Sequence, residues 1–208
     1  MDHLQISKGQ EFNEFYARLP EWQGWLASLL IDADGNTVGP DGTSKSISNS
    51  IDLQLLLALR SKSELIVTTG KTARAENYRA SRFAPLAFIT RKPETLEHLP
   101  AISEPGSHKN CFLKPNSTEL DFDDLGQQLN ALGFSKMLFE GGTRSLARMV
   151  TTASHSQLVL TISNFGSIGP DDLKPMLAKV LPRTDTAELQ DAFIAGPNLV
   201  SRWGFNAA

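Results

Sequence analysis

Apolar positions in this chain fall in short runs, separated by helical stripes and polar turns. Trp25-Leu26-Ala27-Ser28-Leu29-Leu30-Ile31 is apolar nearly throughout and predicts a strand buried on both faces. Shorter runs at residues 64–69, 85–90, 109–114, 136–139 and 157–163 predict further strands. Between them, Asn49 or Ser50 can cap a helix carrying Leu53, Leu56, Leu57 and Arg60. Gly70-Lys71-Thr72 opens a short helix running through ARAEN, and Asp121 caps one with Phe122, Leu125, Leu129 and Leu132 on one face, stopped by Gly133. After Glu140 and Gly141-Gly142, Thr143 stands at the N-cap position; Leu146, Met149 and Val150 recur at helical spacing, with Arg144 and Arg148 off the stripe. Residues 1–22 form a lead-in with an amphipathic helix around Phe12, Phe15 and Tyr16 that ends near Pro20. Residues 188–205 read as two strands around Ala195-Gly196-Pro197-Asn198, a hairpin. The alternation predicts an α/β fold: a mostly parallel sheet with helices on both faces and a final antiparallel hairpin, in a single domain spanning 1–208.

Composition narrows the function. The net charge is −3 with no basic run, which argues against a nucleic-acid surface. No apolar run reaches membrane-spanning length and MDHLQISKGQEF lacks a signal core, so a cytoplasmic protein is expected, with no membrane partner. The single cysteine, Cys111, excludes an internal disulfide and reads as a buried small hydrophobe. His3, His98, His108 and His155 are scattered, so no metal site is expected. Gly-x-Ser-x-Gly and Gly-x-Gly-x-x-Gly are both absent, and Gly70-Lys71-Thr72 is not a P-loop because Leu65 stands where that motif needs glycine.

What remains is a convergence of strand ends. Gly70-Lys71-Thr72, Thr90-Arg91-Lys92 and Glu140-Gly141-Gly142 each follow a predicted strand, and parallel sheets bind ligands at the carboxyl ends of their strands. Two of the three open helices, whose free amides and positive dipole ends suit a phosphate. Glu140 either works on substrate as a partly buried acid or ties down the turn. The loop 36–48, rich in Gly, Asp, Ser and Thr, is long enough to be functional; Asp34 and Ser44 would line the substrate side or form ordinary turns.

Four pieces in this order resemble one family: Asp34-Gly35 with Gly42-Thr43-Ser44; Leu59-Arg60 with residues 65–76; Ile89-Thr90-Arg91; and Leu138-Phe139-Glu140-Gly141-Gly142. Over roughly residues 24–205 the chain resembles the reductase domain of the riboflavin-biosynthesis deaminase/reductase and its stand-alone pyrimidine-reductase relatives. The resemblance implies a dihydrofolate-reductase-like three-layer α/β/α fold, NADPH as cofactor and hydride transfer to a ribosylaminopyrimidine or another small heterocycle. It places Gly70, Lys71, Thr72, Gly141, Gly142, Thr143 and Arg144 around the cofactor phosphates, and Thr90 and Arg91 at the 2′-phosphate. It implies Glu140 and Asp34 as catalytic residues, Ser44, Arg74, Glu76 and Asn77 on the substrate, and a homodimer; the apolar hairpin, if uncovered, offers a pairing surface. The chain departs from the family where Asp-Asp-Pro is expected, reading Glu76-Asn77-Tyr78, and no deaminase domain is expected in residues 1–208. Two other functions fit these residues: a nucleotide-binding protein without turnover, and a reductase acting on a folate or pterin.

Overall fold

The computed structural model describes residues 1–206 except Pro20, Pro105 and Arg183. Its elements are β1 (Asp2–His3), α1 (Glu11–Arg18), β2 (Gly24–Asp32), α2 (Ser50–Lys62), β3 (Leu65–Thr69), α3 (Gly70–Ala75), β4 (Leu86–Ile89), α4 (Pro100–Ser103), β5 (Cys111–Leu113), α5 (Phe122–Ala131), β6 (Lys136–Phe139), α6 (Thr143–Thr152), β7 (His155–Ser163), α7 (Leu173–Val180), β8 (Glu188–Ala195) and β9 (Asn198–Asn206). The strands join one sheet in the order β1-β8-β9-β7-β2-β6-β3-β4-β5, in which β9 alone runs antiparallel to its neighbours β7 and β8. A mostly parallel sheet with a terminal antiparallel hairpin is what the alternation predicts.

Period-two alternation divides the core into two layers. Trp25, Ala27, Leu29, Leu65, Val67, Met137 and Phe139 point toward α5, α6 and α7, while Leu26, Ile66, Leu86, Phe88 and Leu138 point toward α1, α2 and α3. On the first face Trp25, Phe122 and Phe139 pack edge to face, with centroids 5.0 Å apart for Trp25–Phe122 and Phe122–Phe139. The Trp25 indole N–H donates to the Phe122 carbonyl at 2.9 Å, so the most buried aromatic cluster leaves no polar atom of Trp25 unpaired. Because β2 is joined through α2 to β3 on one side of β6, and β6 through α6 to β7 on the other, the chain diverges at the carboxyl ends of β2, β3 and β6. That divergence opens the crevice.

The lead-in is part of the body. Leu4 N–H donates to Ile194 O at 2.9 Å, Phe15 is fully buried against Phe193, and Arg18 grips Asp191 while lying 4.9 Å over the Phe193 ring. The predicted end of α1 near Pro20 falls at Arg18; Pro20 itself lies outside the described residues.

Several expectations need correction. In α2 the buried stripe is Leu55, Ala58 and Leu59, whereas Leu53 is 48% exposed and Leu56 is only partly buried. Leu132 is the C-cap of α5 and is exposed, because the left-handed Gly133 (φ 91°) turns the chain away before a further turn can form. Gly142, not Thr143, is the N-cap of α6. Cys111 is only partly buried, since β5 is an edge strand, and that burial still raises its thiol pKa. α7 has no counterpart among the predicted elements: Pro175 in its first turn looks like a breaker, yet a proline there removes no helical hydrogen bond. Most of the hairpin is covered: Phe193, Leu199, Val200, Trp203 and Phe205 are buried against the chain's own core, while Leu189 is 46% exposed.

Candidate active site

A crevice of about 970 Å³ opens at the carboxyl ends of β2, β3, β4 and β6. Of the sites expected from sequence, Ser44, Gly70, Lys71, Thr72, Arg74, Glu76, Asn77, Thr90, Arg91, Glu140, Gly141, Gly142, Thr143 and Arg144 all line it. Asp34 does not: it is exposed in the turn after β2, and its carbonyl accepts from Lys179 Nζ at 3.2 Å. Asp32, two residues earlier at the end of β2, consumes its carboxylate on the amides of Asp34 and Asn36 and on the Asn36 side chain.

The two glycine junctions are stitched together. Thr69 caps α3 by accepting from Thr72 N at 3.2 Å, and the Thr72 hydroxyl in turn accepts from Gly142 N at 3.2 Å. The Gly142 amide is therefore spent inside the protein. Those of Gly141, Thr143 and Arg144 have no acceptor among the described residues and remain for a ligand. The glycines have different jobs. A Cβ on Gly141 would sit 2.1 Å from the Phe139 ring, so its bareness serves core packing; one on Gly142 would meet only Thr72 Oγ1, at 3.8 Å. Gly70 is intermediate, with Thr90 3.3 Å from the added carbon.

On the substrate side, Glu76 Oε1 accepts the Ser44 amide at 2.9 Å and the Glu76 carbonyl accepts from Lys45 Nζ at 3.3 Å, fastening the 36–48 loop to the end of α3. Asn77 follows with φ 48°, the left-handed conformation that asparagine tolerates, which turns the chain into Tyr78. Arg74 donates to Thr95 at 3.0 Å, and Arg91 to the Ser117 carbonyl.

Glu140 is tied down. Arg60 Nε and Nη2 reach its two oxygens at 2.7 and 2.6 Å, and the Tyr78 hydroxyl donates to Oε2 at 2.7 Å. The side chains of Arg60 and Glu140 are 20% and 7% exposed. Burial would lower the Arg60 pKa, but the Glu140 charge and hydrogen bonds outweigh it and the net shift is upward. Burial and then the Glu140 charge push the Tyr78 phenol well above its usual value, so it stays a donor. A carboxylate accepting three donors is a structural anchor between α2, the segment after α3, and the β6 turn. Neither Arg60 nor Tyr78 was expected as part of the site. The only signal for Arg60 was its place in the Leu59-Arg60 motif.

The electrostatics favour an anion. Lys45, Arg60, Lys71, Arg74, Arg79, Arg91 and Arg144 line the crevice against Asp52, Glu76 and Glu140, in a chain with a formal charge of −3. Among the described residues no cluster of His, Cys, Asp and Glu could hold a metal, and no helix is long and apolar enough to cross a membrane.

Sheet order, terminal hairpin and crevice together define the dihydrofolate-reductase-like fold, and comparison with solved structures agrees. A pyrimidine reductase-like protein from Corynebacterium diphtheriae superposes with a TM-score of 0.65 at 16% identity, over 95% of this chain and 99% of its own. The diaminohydroxyphosphoribosylaminopyrimidine deaminase/5-amino-6-(5-phosphoribosylamino)uracil reductase of Thermotoga maritima gives 0.62 at 12% identity, over 89% of this chain but 57% of its own. Enterococcus faecalis dihydrofolate reductase, solved with NADP(H), gives 0.51 at 11% identity over 90% and 98% of the two chains. No protein-family model matches the sequence, and no curated protein matches it significantly. At these identities the likeness establishes the fold.

Proposed function

We propose that this chain is an NADPH-dependent reductase that delivers hydride to a small heterocycle of the aminopyrimidine kind. The observation that carries the reading is the basic crevice, in which unpaired amides at the start of α6 face the junction between β3 and α3. Several groups suit a dinucleotide phosphate: Thr143 and Arg144 offer backbone N–H groups, Gly142 leaves room for close approach, and Lys71 and Arg144 supply positive charge. Thr90 and Arg91, at the end of β4, would hold the 2′-phosphate. When bound, NADPH supplies the hydride. The chain's own part is to orient and to exclude water: the 36–48 loop, latched by Glu76, walls the substrate side, and the Arg60–Glu140–Tyr78 network fixes the floor.

The likeness to a pyrimidine reductase-like protein and to a uracil reductase supports the substrate class, and the NADP(H) complex of the dihydrofolate reductase supports the cofactor. The test is loss of NADPH absorbance with a panel of aminopyrimidine and pterin substrates, alongside direct NADPH titration. Absence of NADPH binding refutes the reading. Binding without oxidation of any panel member points instead to a nucleotide-binding protein without turnover.

A further inference from the structure

No described residue before Ser28 lines the crevice, yet the lead-in grips the two pieces of chain that carry the donors to Glu140. Arg60 stands two residues before Lys62, the last residue of α2. The Lys62 side chain is only 8% exposed; its ammonium donates to the Leu19 carbonyl at 2.6 Å, pairs with Glu21 at 3.4 Å and lies 4.6 Å over the Tyr16 ring. That contact ties the end of α1 to the end of α2. Tyr78 opens the segment 78–84, which no helix or strand holds, so packing decides where it sits. Phe83 of that segment stacks on Phe12 of α1, with ring centroids 6.0 Å apart and planes 10° from parallel. Phe12 and Tyr78 also pack against one core layer, that of Phe15, Leu55, Leu59 and Phe88. The two held pieces meet at the crevice floor, where the Arg60 guanidinium lies 5.9 Å over the Tyr78 ring and both groups reach Glu140. Glu140 directly precedes Gly141-Gly142, the turn that opens α6 and its free amides.

We propose that the lead-in is a positioning element of the crevice, with Phe12 at its centre: through Phe83 and Lys62 it sets Tyr78 and Arg60 against Glu140, and through Glu140 it sets the glycine turn at the start of α6. Bonds of 2.6–2.7 Å to a carboxylate have little slack, so a small displacement of either donor is felt at Glu140. The aromatic stack supplies direction where the segment 78–84 has no backbone ladder of its own. Phe12 touches no bound molecule and acts only through its neighbours. The inference goes beyond the reductase reading and rests on it only for the dinucleotide that the glycine turn would meet.

The chain has two tyrosines, Tyr16 and Tyr78, so tyrosine carrying an NMR-active carbon at Cζ gives two resonances, which Tyr16→Phe assigns. The Tyr78 resonance reports the hydrogen bond of its phenol to Glu140. It is recorded in the full chain, with NADPH titrated alongside, for the parent, Phe12→Ala, Phe83→Ala and Leu177→Ala. Leu177 is fully buried in α7, in the other core layer, and its variant controls for lost stability. In Phe12→Ala the Tyr78 resonance moves or broadens and NADPH binds about three- to tenfold more weakly, while Leu177→Ala lowers Tm and leaves both readings as in the parent. Phe83→Ala, the other half of the stack, reproduces the effect, and the double variant goes no further than either alone. An unmoved Tyr78 resonance in folded Phe12→Ala overturns the inference, as does an equal displacement in Leu177→Ala. A displaced resonance with unchanged NADPH affinity overturns the step from Glu140 to the glycine turn. Should Phe12→Ala lose its native circular dichroism, Phe83→Ala decides by the same readings. A parent that binds no NADPH sinks the reductase reading and leaves the Tyr78 comparison to decide this one.

Discussion

Glu140→Gln separates an anchor from an acid. The substitution keeps the shape of the side chain but removes the charge that two Arg60 bonds and the Tyr78 hydroxyl converge on. It also forces an amide NH₂ against one of those donors. The Arg60 guanidinium, 20% exposed, is then left mostly buried with no opposite charge. Losing one partner of a buried pair costs about 3–5 kcal/mol; the residual exposure of Arg60 argues for the lower end, about 3 kcal/mol, or roughly 6–12 °C in Tm for a chain of this length. Tyr78→Phe removes one charge-assisted bond while both Arg60 bonds remain, and should cost about 1.5–2 kcal/mol. Combining Tyr78→Phe with Glu140→Gln should cost less than the sum of the two, because the hydroxyl no longer has a carboxylate to serve. Thermal and urea unfolding of the three variants supply the numbers. A Glu140→Gln protein as stable as the parent, but inactive in NADPH oxidation, would refute the anchor and restore Glu140 as the acid.

Asp52 makes the opposite prediction. Burial raises its pKa above 3.8, with Ser48 only partly opposing. Between 3.8 and that raised folded value the native state binds more protons than the unfolded chain, so this group's contribution to stability falls as pH rises through the window. Asp52→Asn should therefore melt higher than the parent at pH 7, with the gap closing below about pH 3.8; a lower Tm at pH 7 contradicts it. Gly141→Ala should destabilise by about 1–3 kcal/mol through its clash with Phe139, whereas Gly142→Ala should keep the Tm and weaken NADPH; equal melting of the two variants contradicts the packing role. Arg91→Ala should weaken NADPH by roughly ten- to a hundredfold and NADH little, as competitive titration would show. A homodimer, proposed on the resemblance alone, predicts about twice 22.7 kDa by light scattering. Trp203→Ala should in either case lower Tm rather than dissociate copies, since Trp203 is buried in its own chain.

Much of the fold was legible because both-face burial leaves a plain mark. Strands such as Leu65–Thr69 and Lys136–Phe139 are apolar on both sides, and caps such as Asn49 and Asp121 stand where the helices start. The strand-end glycines and basic residues were legible for the same reason, being local signals at fixed offsets from a strand. Three-body contacts were not. Nothing in the spacing of Arg60, Tyr78 and Glu140 announces that helix, loop and strand end will bring them within 2.7 Å. The division of labour between Gly141 and Gly142 likewise depends on where the Phe139 ring folds.

Helix α2 shows why Asp52 was overlooked. A helix with leucines at 53, 55, 56, 57 and 59 offers more than one apolar stripe, and periodicity cannot tell which faces the sheet. A helix carrying Leu53 and Leu56 does not show from sequence that they wall the crevice, and an acid three residues after the Asn49 cap passes as helix-start chemistry. Of the three crevice carboxylates, Glu140 and Asp52 have opposite environments. Glu140 is surrounded by donors and binds the fold together, while Asp52 meets one hydroxyl and its burial raises its pKa.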